Sequence, residues 1–212
     1  MSSVKLVWAT EGGDDLIAKM ARVSNPANED NKETAPKLIG YLIKNKHWSP
    51  FEMVNMCVEI ETTRSVAAQI LRHRSFSFQE FSQRYAEVIL RPELPAMRRQ
   101  DLKNRQNSVD DLPLGVLHET DHIVGQALVT SYRAYDRLLE LGVAKECARE
   151  VLPLCTPTRL YMNGSARSFL HYLQLRTDPS TQKEHRDVAE QIKNVFIRQF
   201  PNTARAVDFV VA

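Results

Sequence analysis

The chain of 212 residues is 43% hydrophobic and 25% charged, with only 7 glycines and 10 prolines; this excludes a disordered or fibrous segment and is long enough to bury a sizeable core. Its 28 lysines and arginines against 26 acids leave a formal charge of +2, so no single field covers the surface, and bulk binding to nucleic acid or to an acidic membrane is not expected. No apolar run reaches the roughly 20 residues of a membrane span, and the opening residues lack the charged and apolar regions of a secretory signal, so the expected compartment is the cytoplasm. Cys57, Cys147 and Cys155 have no CxxC spacing and read as reduced, mostly buried thiols.

In chain order, residues 4–10 (VKLVWAT) predict a short strand, and residues 14–24 a helix with Leu16, Met20 and Val23 on one side. A second helix is expected over 35–47, with Pro36 in its first turn and Leu38, Tyr41 and Leu42 at helical spacing. Then the period changes. Val54, Met56, Val58 and Ile60 alternate with Asn55, Cys57, Glu59 and Glu61, the pattern of a strand with one buried face. From Thr62 to His73 the period is helical again, with an apolar stripe of Val66, Ala67, Ile70 and Leu71. Residues 92–113 are polar and aperiodic with three prolines, and predict a long functional loop. Further helices are expected over 116–141, ended by Gly142, then 145–152, 165–176 and 181–200. No repeat or composition shift marks a boundary. The reading is α+β: one domain over 1–212, a small antiparallel-type sheet and many helices.

Arginine outnumbers lysine by 18 to 10, and residues 64–105 hold eight arginines and Lys103 against four acids. Guanidinium groups grip phosphate or carboxylate through paired hydrogen bonds, although on charge alone a solvated basic face explains the run equally well. The densest chemistry is residues 64–85, RSVAAQILRHRSFSFQEFSQRY. At helical spacing Gln69, Arg72 and His73 are neighbours. Beyond them Phe76, Phe78, Phe81 and Tyr85 interleave with Ser75, Ser77, Gln79, Glu80, Ser82 and Arg84, a mixture suited to a flat heterocycle carrying phosphates.

Arg72-His73-Arg74, seven residues, then Ser82-Gln83-Arg84 resembles the RHR(x7)SxR signature of the flavin-dependent thymidylate synthases, the ThyX family. Supporting blocks follow the family order: ARVSNP (21–26), KHWSPFE (46–52), AKECAREVLPL (144–154) and NGSARSFLHYLQLR (163–176). The resemblance implies an enzyme that makes dTMP from dUMP, with FAD as cofactor and methylene-tetrahydrofolate and NADPH as co-substrates. It also implies a homotetramer with active sites between subunits. By the same resemblance, Arg72, His73 and Arg74 contact FAD, Arg72 also lies near dUMP, and Ser165, Arg167, His171, His47 and Ser49 belong to the flavin site. Glu80 is assigned to both ligands. Gln69, Ser82, Gln83, Arg84 and Arg149 hold dUMP, and Arg176 is the catalytic arginine against the uracil ring. Some family members carry Asn where this chain has Ser165 and His171.

Spacing supports part of this: Arg167 and His171, four apart, share a helix face with Phe169, Leu170 and Leu173 opposite, whereas Arg176 falls roughly 140° round the helix from His171. A guanidinium beside the uracil edge stabilises the charge that develops as C5 becomes nucleophilic. No thiolate is required, and none of the cysteines has a flanking activator. Ser82 lacks an evident base and reads as a ligand group. Two other classes fit part of the pattern. A single-strand nucleic-acid binder could use the same arginines and phenylalanines. His118-Glu119-Thr120-Asp121-His122 matches HExxH, the pattern of a zinc hydrolase, against which stands a solvated helix face without an evident third ligand. The expectation is therefore no metal, and permanently cationic side chains between residues 69 and 176 gathered into a shared pocket.

Overall fold

The structure, a computed structural model, describes residues 2–209. Its centre is a four-stranded antiparallel sheet in the order β1-β2-β6-β3, where β1 is Ser3–Ala9, β2 Asn55–Thr63, β3 Ser77–Glu80 and β6 Pro157–Ser165. β2 and β6 are the two inner strands, and β6 reaches the edge strand β3. It pairs from Asn55↔Ser165 to Thr63↔Pro157 on one side and from Ser77↔Asn163 to Glu80↔Leu160 on the other. Thr158, Leu160, Met162 and Gly164 are buried while Arg159, Tyr161 and Asn163 face the other way, which is the period-two alternation of a half-covered sheet. The alternation was present in the sequence, but Pro157, Asn163 and Gly164 dilute it, and no strand was expected there.

The buried face is covered by α6 (Ala166–Arg176) and α7 (Lys183–Gln199), whose Phe169, Leu170, Leu173, Val188, Ile192 and Phe196 meet Met56, Val58 and Ile60 of β2. Phe169, Leu170 and Leu173 are buried as the spacing predicts. So are Val54, Met56, Val58 and Ile60, although Cys57 on the alternate face is buried too. Cys155 is half-buried and Cys147 exposed, which corrects the expectation of mostly buried thiols.

The remaining helices differ from the expected ones in extent or facing. In α1 (Gly13–Ala21) the inward side is Gly13, Asp14, Ile17 and Ala18; Met20 and Val23 are exposed. In α2 (Ala35–Lys44) it is Ala35, Ile39 and Leu42, with Tyr41 exposed. The helix expected from Thr62 is shorter: α3 is Arg64–Ile70, because the β-branched pair Thr62 and Thr63 still pairs with β6. The first helical N–H groups of α3 are satisfied from outside, Arg64 by the carbonyl of Thr156 (3.0 Å) and Ser65 by that of Leu154 (3.0 Å).

Within the long loop, Arg99–Gln100 (β4) and Ser108–Val109 (β5) form a minimal hairpin. α4 (Leu114–Glu140) ends at Gly142, whose φ of 79° is the left-handed closure expected there. The helix expected over 145–152 is one turn, α5 (Lys145–Ala148), followed by a 3-10 turn over Arg149–Val151 that becomes extended at Leu152, before Pro153. A short α8 (Pro201–Arg205) is capped from afar: Asp14 accepts from the backbone N–H groups of Asn202 (2.6 Å) and Thr203 (3.2 Å) and from the Thr203 hydroxyl (2.6 Å).

Candidate active site

The signature arginines occupy the turn that ends α3. The N–H of Arg72 reaches the Gln69 carbonyl (3.3 Å) and that of His73 the Ile70 carbonyl (3.0 Å), so Gln69, Arg72 and His73 stay on adjacent turns although the α-helix has ended. The turn is anchored from below. Ser168 donates its hydroxyl to the Ser75 carbonyl (3.1 Å), and Phe76 is buried edge-on between Phe169 (4.9 Å) and Tyr172 (5.9 Å). Gly164 of β6 makes room for that ring: a Cβ there would lie 2.5 Å from Phe76 Cδ1. Phe76 is thus a core anchor and not a stacking platform. Of the four interleaved aromatics only Tyr85 is fully exposed.

His73 is the hinge of the cluster. Its Nε2 accepts a hydrogen bond from Arg176 Nε (2.9 Å), and its ring stands edge-on to Tyr172 at 4.8 Å. Burial, and then the charges of Arg176 and His171, lower its pKa to about 4. The imidazole is therefore neutral near pH 7 and able to accept. This bond brings the last residue of α6 to the end of α3, a juxtaposition that helical spacing along α6 did not contain. No partner for the Nη atoms of Arg176, or for the exposed guanidiniums of Arg72 and Arg74, occurs among the described residues.

A second group forms where α6 begins. Ser165 caps the helix, accepting from the Ser168 N–H (3.2 Å), and donates its hydroxyl to Glu52 Oε2 (2.5 Å); Arg167 donates to Glu52 Oε1 (2.8 Å). Glu52 ends the 3-10 turn Ser49–Glu52, which begins with the exposed Ser49. Exposed His47 stands edge-on to Tyr41 at 6.0 Å, and His171 lies one turn beyond Arg167 on the outer side of α6. Sequence reasoning missed Glu52, although it sits inside the KHWSPFE block.

A third group surrounds Glu146 of α5. Arg84 donates Nε to its carboxylate (2.9 Å) and Arg149 donates Nε to its backbone carbonyl (3.2 Å), so two arginines distant in sequence converge. A cavity of about 420 Å³ adjoins them, lined by Arg84, Glu87, Lys145, Glu146 and residues 139–144 in part. Nearby on β3, Glu80 accepts from Arg64 Nη1 (3.1 Å) and Thr158 Oγ1 (2.9 Å). Gln83 is buried with its Nε2 lacking a partner among the described residues, while Ser82 is exposed.

Contacts thus bring together three sets of the expected residues, His73 with Arg176, Ser165 with Arg167 through Glu52, and Arg84 with Arg149 through Glu146. The 420 Å³ cavity touches Arg84 alone among them, and a second cavity of about 310 Å³, lined by Glu11, Asp15, Lys19 and Lys32 among others, touches none. The HExxH residues lie on exposed α4, where His122 shares a hydrogen bond with Gln126 (3.0 Å). No group of three His, Cys, Asp or Glu able to hold a metal occurs among the described residues, nor any helix long and apolar enough to cross a membrane.

A family model described as thymidylate synthase complementing protein matches residues 5–202. A probable flavin-dependent thymidylate synthase of Paramecium bursaria Chlorella virus 1 is 49% identical over 98% of this chain and all of its own length. The flavin-dependent thymidylate synthase of Synechocystis is 48% identical over 92% of this chain and 90% of its own. The chain belongs to the flavin-dependent thymidylate synthase family. Among solved structures, the UMP/dUMP methylase PolB from Streptomyces cacaoi bound with 5-Br dUMP superposes with a TM-score of 0.87 at 29% identity, covering 97% of this chain and 94% of that one. The same protein bound with 5-Br UMP gives 0.86 at 30% identity. In this family member Ser168 ties the signature turn to the start of α6, bonding both the Ser75 carbonyl and Ser165, while the Arg84–Arg149 pair is built on Glu146.

Proposed function

We propose that this protein synthesises dTMP from dUMP with FAD as its cofactor, methylene-tetrahydrofolate as the one-carbon donor and NADPH as the reductant. The observation that carries the reading is the bond from Arg176 to neutral His73, which joins the RHR signature to the end of the last supporting block. The donor set fits the flavin: Arg72 and Arg74 are exposed cations without a protein anion among the described residues, as a diphosphate-bearing ligand requires. His47, Ser49, Arg167 and His171 would hold the rest of it, with Ser165 and Glu52 fixing Arg167.

When bound, the flavin supplies the hydride that completes the methyl group. The side chains orient and stabilise. Arg84, Ser82 and Arg149 would grip the dUMP phosphate, with Gln83 and its unsatisfied Nε2 beside them. Glu80, already paired with Arg64, and Gln69 would position the nucleotide. Arg176 would spread the negative charge of the activated uracil ring, its Nε fixed by His73 so that no reorganisation accompanies the reaction. The reading includes a homotetramer whose sites combine clusters from different subunits.

The purified protein should be yellow or take up FAD, should convert dUMP to dTMP when given methylene-tetrahydrofolate and NADPH, and should oxidise NADPH faster with dUMP present. A colourless protein that takes up no flavin and makes no dTMP would refute the reading. Running UMP beside dUMP in the same assay defines the sugar preference.

A further inference from the structure

A chain of hydrogen bonds runs from the long loop into the nucleotide side of the signature turn, and each link has one permitted direction. Arg98 in the loop pairs with Glu184 Oε1 (2.6 Å). Burial disfavours the Glu184 carboxylate, yet its bonds from Arg98 and Gln182 prevail and hold its pKa below the usual range, so it only accepts. Gln182 therefore donates Nε2 to Glu184 Oε2 (2.9 Å) and presents its carbonyl to Gln69, which must donate its own Nε2 (2.6 Å). That leaves Gln69 Oε1 facing His185 Nδ1 at 3.2 Å, where the histidine must be the donor. With the proton on Nδ1, His185 Nε2 can only accept, and it takes the hydroxyl of Tyr172 (3.0 Å). Tyr172 keeps that proton, because burial raises its pKa above the usual phenol range.

His185 is fully buried on the apolar face of α7, in line with Val188, Ala189 and Ile192. A buried histidine in such a stripe usually needs only its hydrogen bonds satisfied. Here one of its partners is Gln69, expected to hold dUMP. We propose that His185 is a positioning residue for the nucleotide: as the Nδ1–H tautomer it locks the Gln69 amide in one orientation, leaving one N–H and one carbonyl lone pair of Gln69 set for dUMP. This rests on the proposed function through the assignment of Gln69 to the substrate. It adds a residue that has no place in the signature blocks.

The conservative variants separate positioning from packing. An asparagine places its amide nitrogen near Nδ1 and can still donate to Gln69, whereas a glutamine reaches the Tyr172 side and leaves Gln69 without a donor. Titrating FAD-loaded enzyme with dUMP calorimetrically, His185→Asn should bind within about twofold of the unaltered protein and His185→Gln about threefold to tenfold more weakly, the range expected of one net hydrogen bond. Each variant loses one bond, so their thermal midpoints should fall alike. Solid-state NMR of ¹⁵N-histidine-labelled protein should report the Nδ1–H tautomer for His185, and needs no variant to fold. Equal dUMP affinities for the two variants, or an Nε2–H tautomer, would overturn the proposal. A Gln69→Ala control separates the causes: if it binds dUMP normally, the substrate assignment of Gln69 fails and the proposal with it; if it binds weakly while the variants match, only the role of His185 fails.

Discussion

At the scale of single residues, the site turns on which nitrogens are neutral. His73 can accept from Arg176 only while unprotonated, and the site supplies that state by burial and by placing two further cationic or ionisable groups, Arg176 and His171, beside it. Replacing Arg176 by Ala should leave the fold and flavin content nearly intact, because the anchor of the turn is Phe76 and Ser168, while dTMP formation is abolished; near-normal turnover would reject its role. The same neutrality has a consequence for stability. His73 and His185 both titrate near 4 in the folded chain against an ordinary 6.5, so between those values the unfolded chain binds the extra protons. Stability from this source is complete above about pH 6.5 and is lost as pH falls toward 4. Urea midpoints taken from pH 7 to pH 4 should decline, and the decline should be smaller in His185→Gln, which removes one of the two groups; equal slopes would contradict the assignment. Of these residues, Arg72, His73 and Arg74 stand in the motif and Arg176 in a supporting block, so the resemblance marks all four. Glu52 and His185 were not, since a glutamate inside a block and a histidine on an apolar helix face carry no local pattern.

At the scale of elements, what was legible followed the strength of the period. β2, α4, α6 and α7 have long, clean patterns and came out close to their expected extents. β6 was missed and α3 overextended for one shared reason: cross-strand pairing at Thr62, Thr63 and Pro157 decides both boundaries, and pairing is not visible along a single segment. That central strand also sets the position of the signature turn. Gly164 lets the Phe76 ring lie against β6, with hypothetical Cβ contacts of 2.5 and 2.7 Å if any side chain were present. Gly164→Ala should therefore cost about 1–3 kcal/mol by overpacking, seen as a lower urea midpoint, and should weaken FAD retention because Phe76 lies two residues beyond Arg74. Adding Phe76→Leu should recover part of the loss in a double-mutant cycle. Strict additivity of the two changes would show that the ring and the glycine do not meet.

At the scale of the whole molecule, the three clusters and the bare face of α4 bear on one question, how a complete site is assembled. Of the 27 residues of α4 only Tyr132 and Tyr135 are buried, both near its C-terminal end, while Leu114, Val116, Ile123 and Val129 are exposed. At about 100° per residue Val116 and Ile123 share one side of the helix while Leu114 and Val129 lie on another, so apolar groups exposed on two sides fit contact with neighbouring chains. No hydrogen bond or ion pair joins the Arg84–Arg149 pair to the His73–Arg176 turn among the described residues, which fits sites completed by a neighbouring subunit. The expected native mass is four times 24.3 kDa, measurable by light scattering. Ile123→Glu places a charge on the side shared with Val116, where burial against a partner would require its desolvation. The variant should sediment as a smaller species and lose dTMP formation together with FAD affinity, yet unfold cooperatively, since the core of the sheet does not reach Ile123. A variant that is monomeric and fully active would show that each chain carries its own complete site, and that the arginines of the three clusters serve different ends.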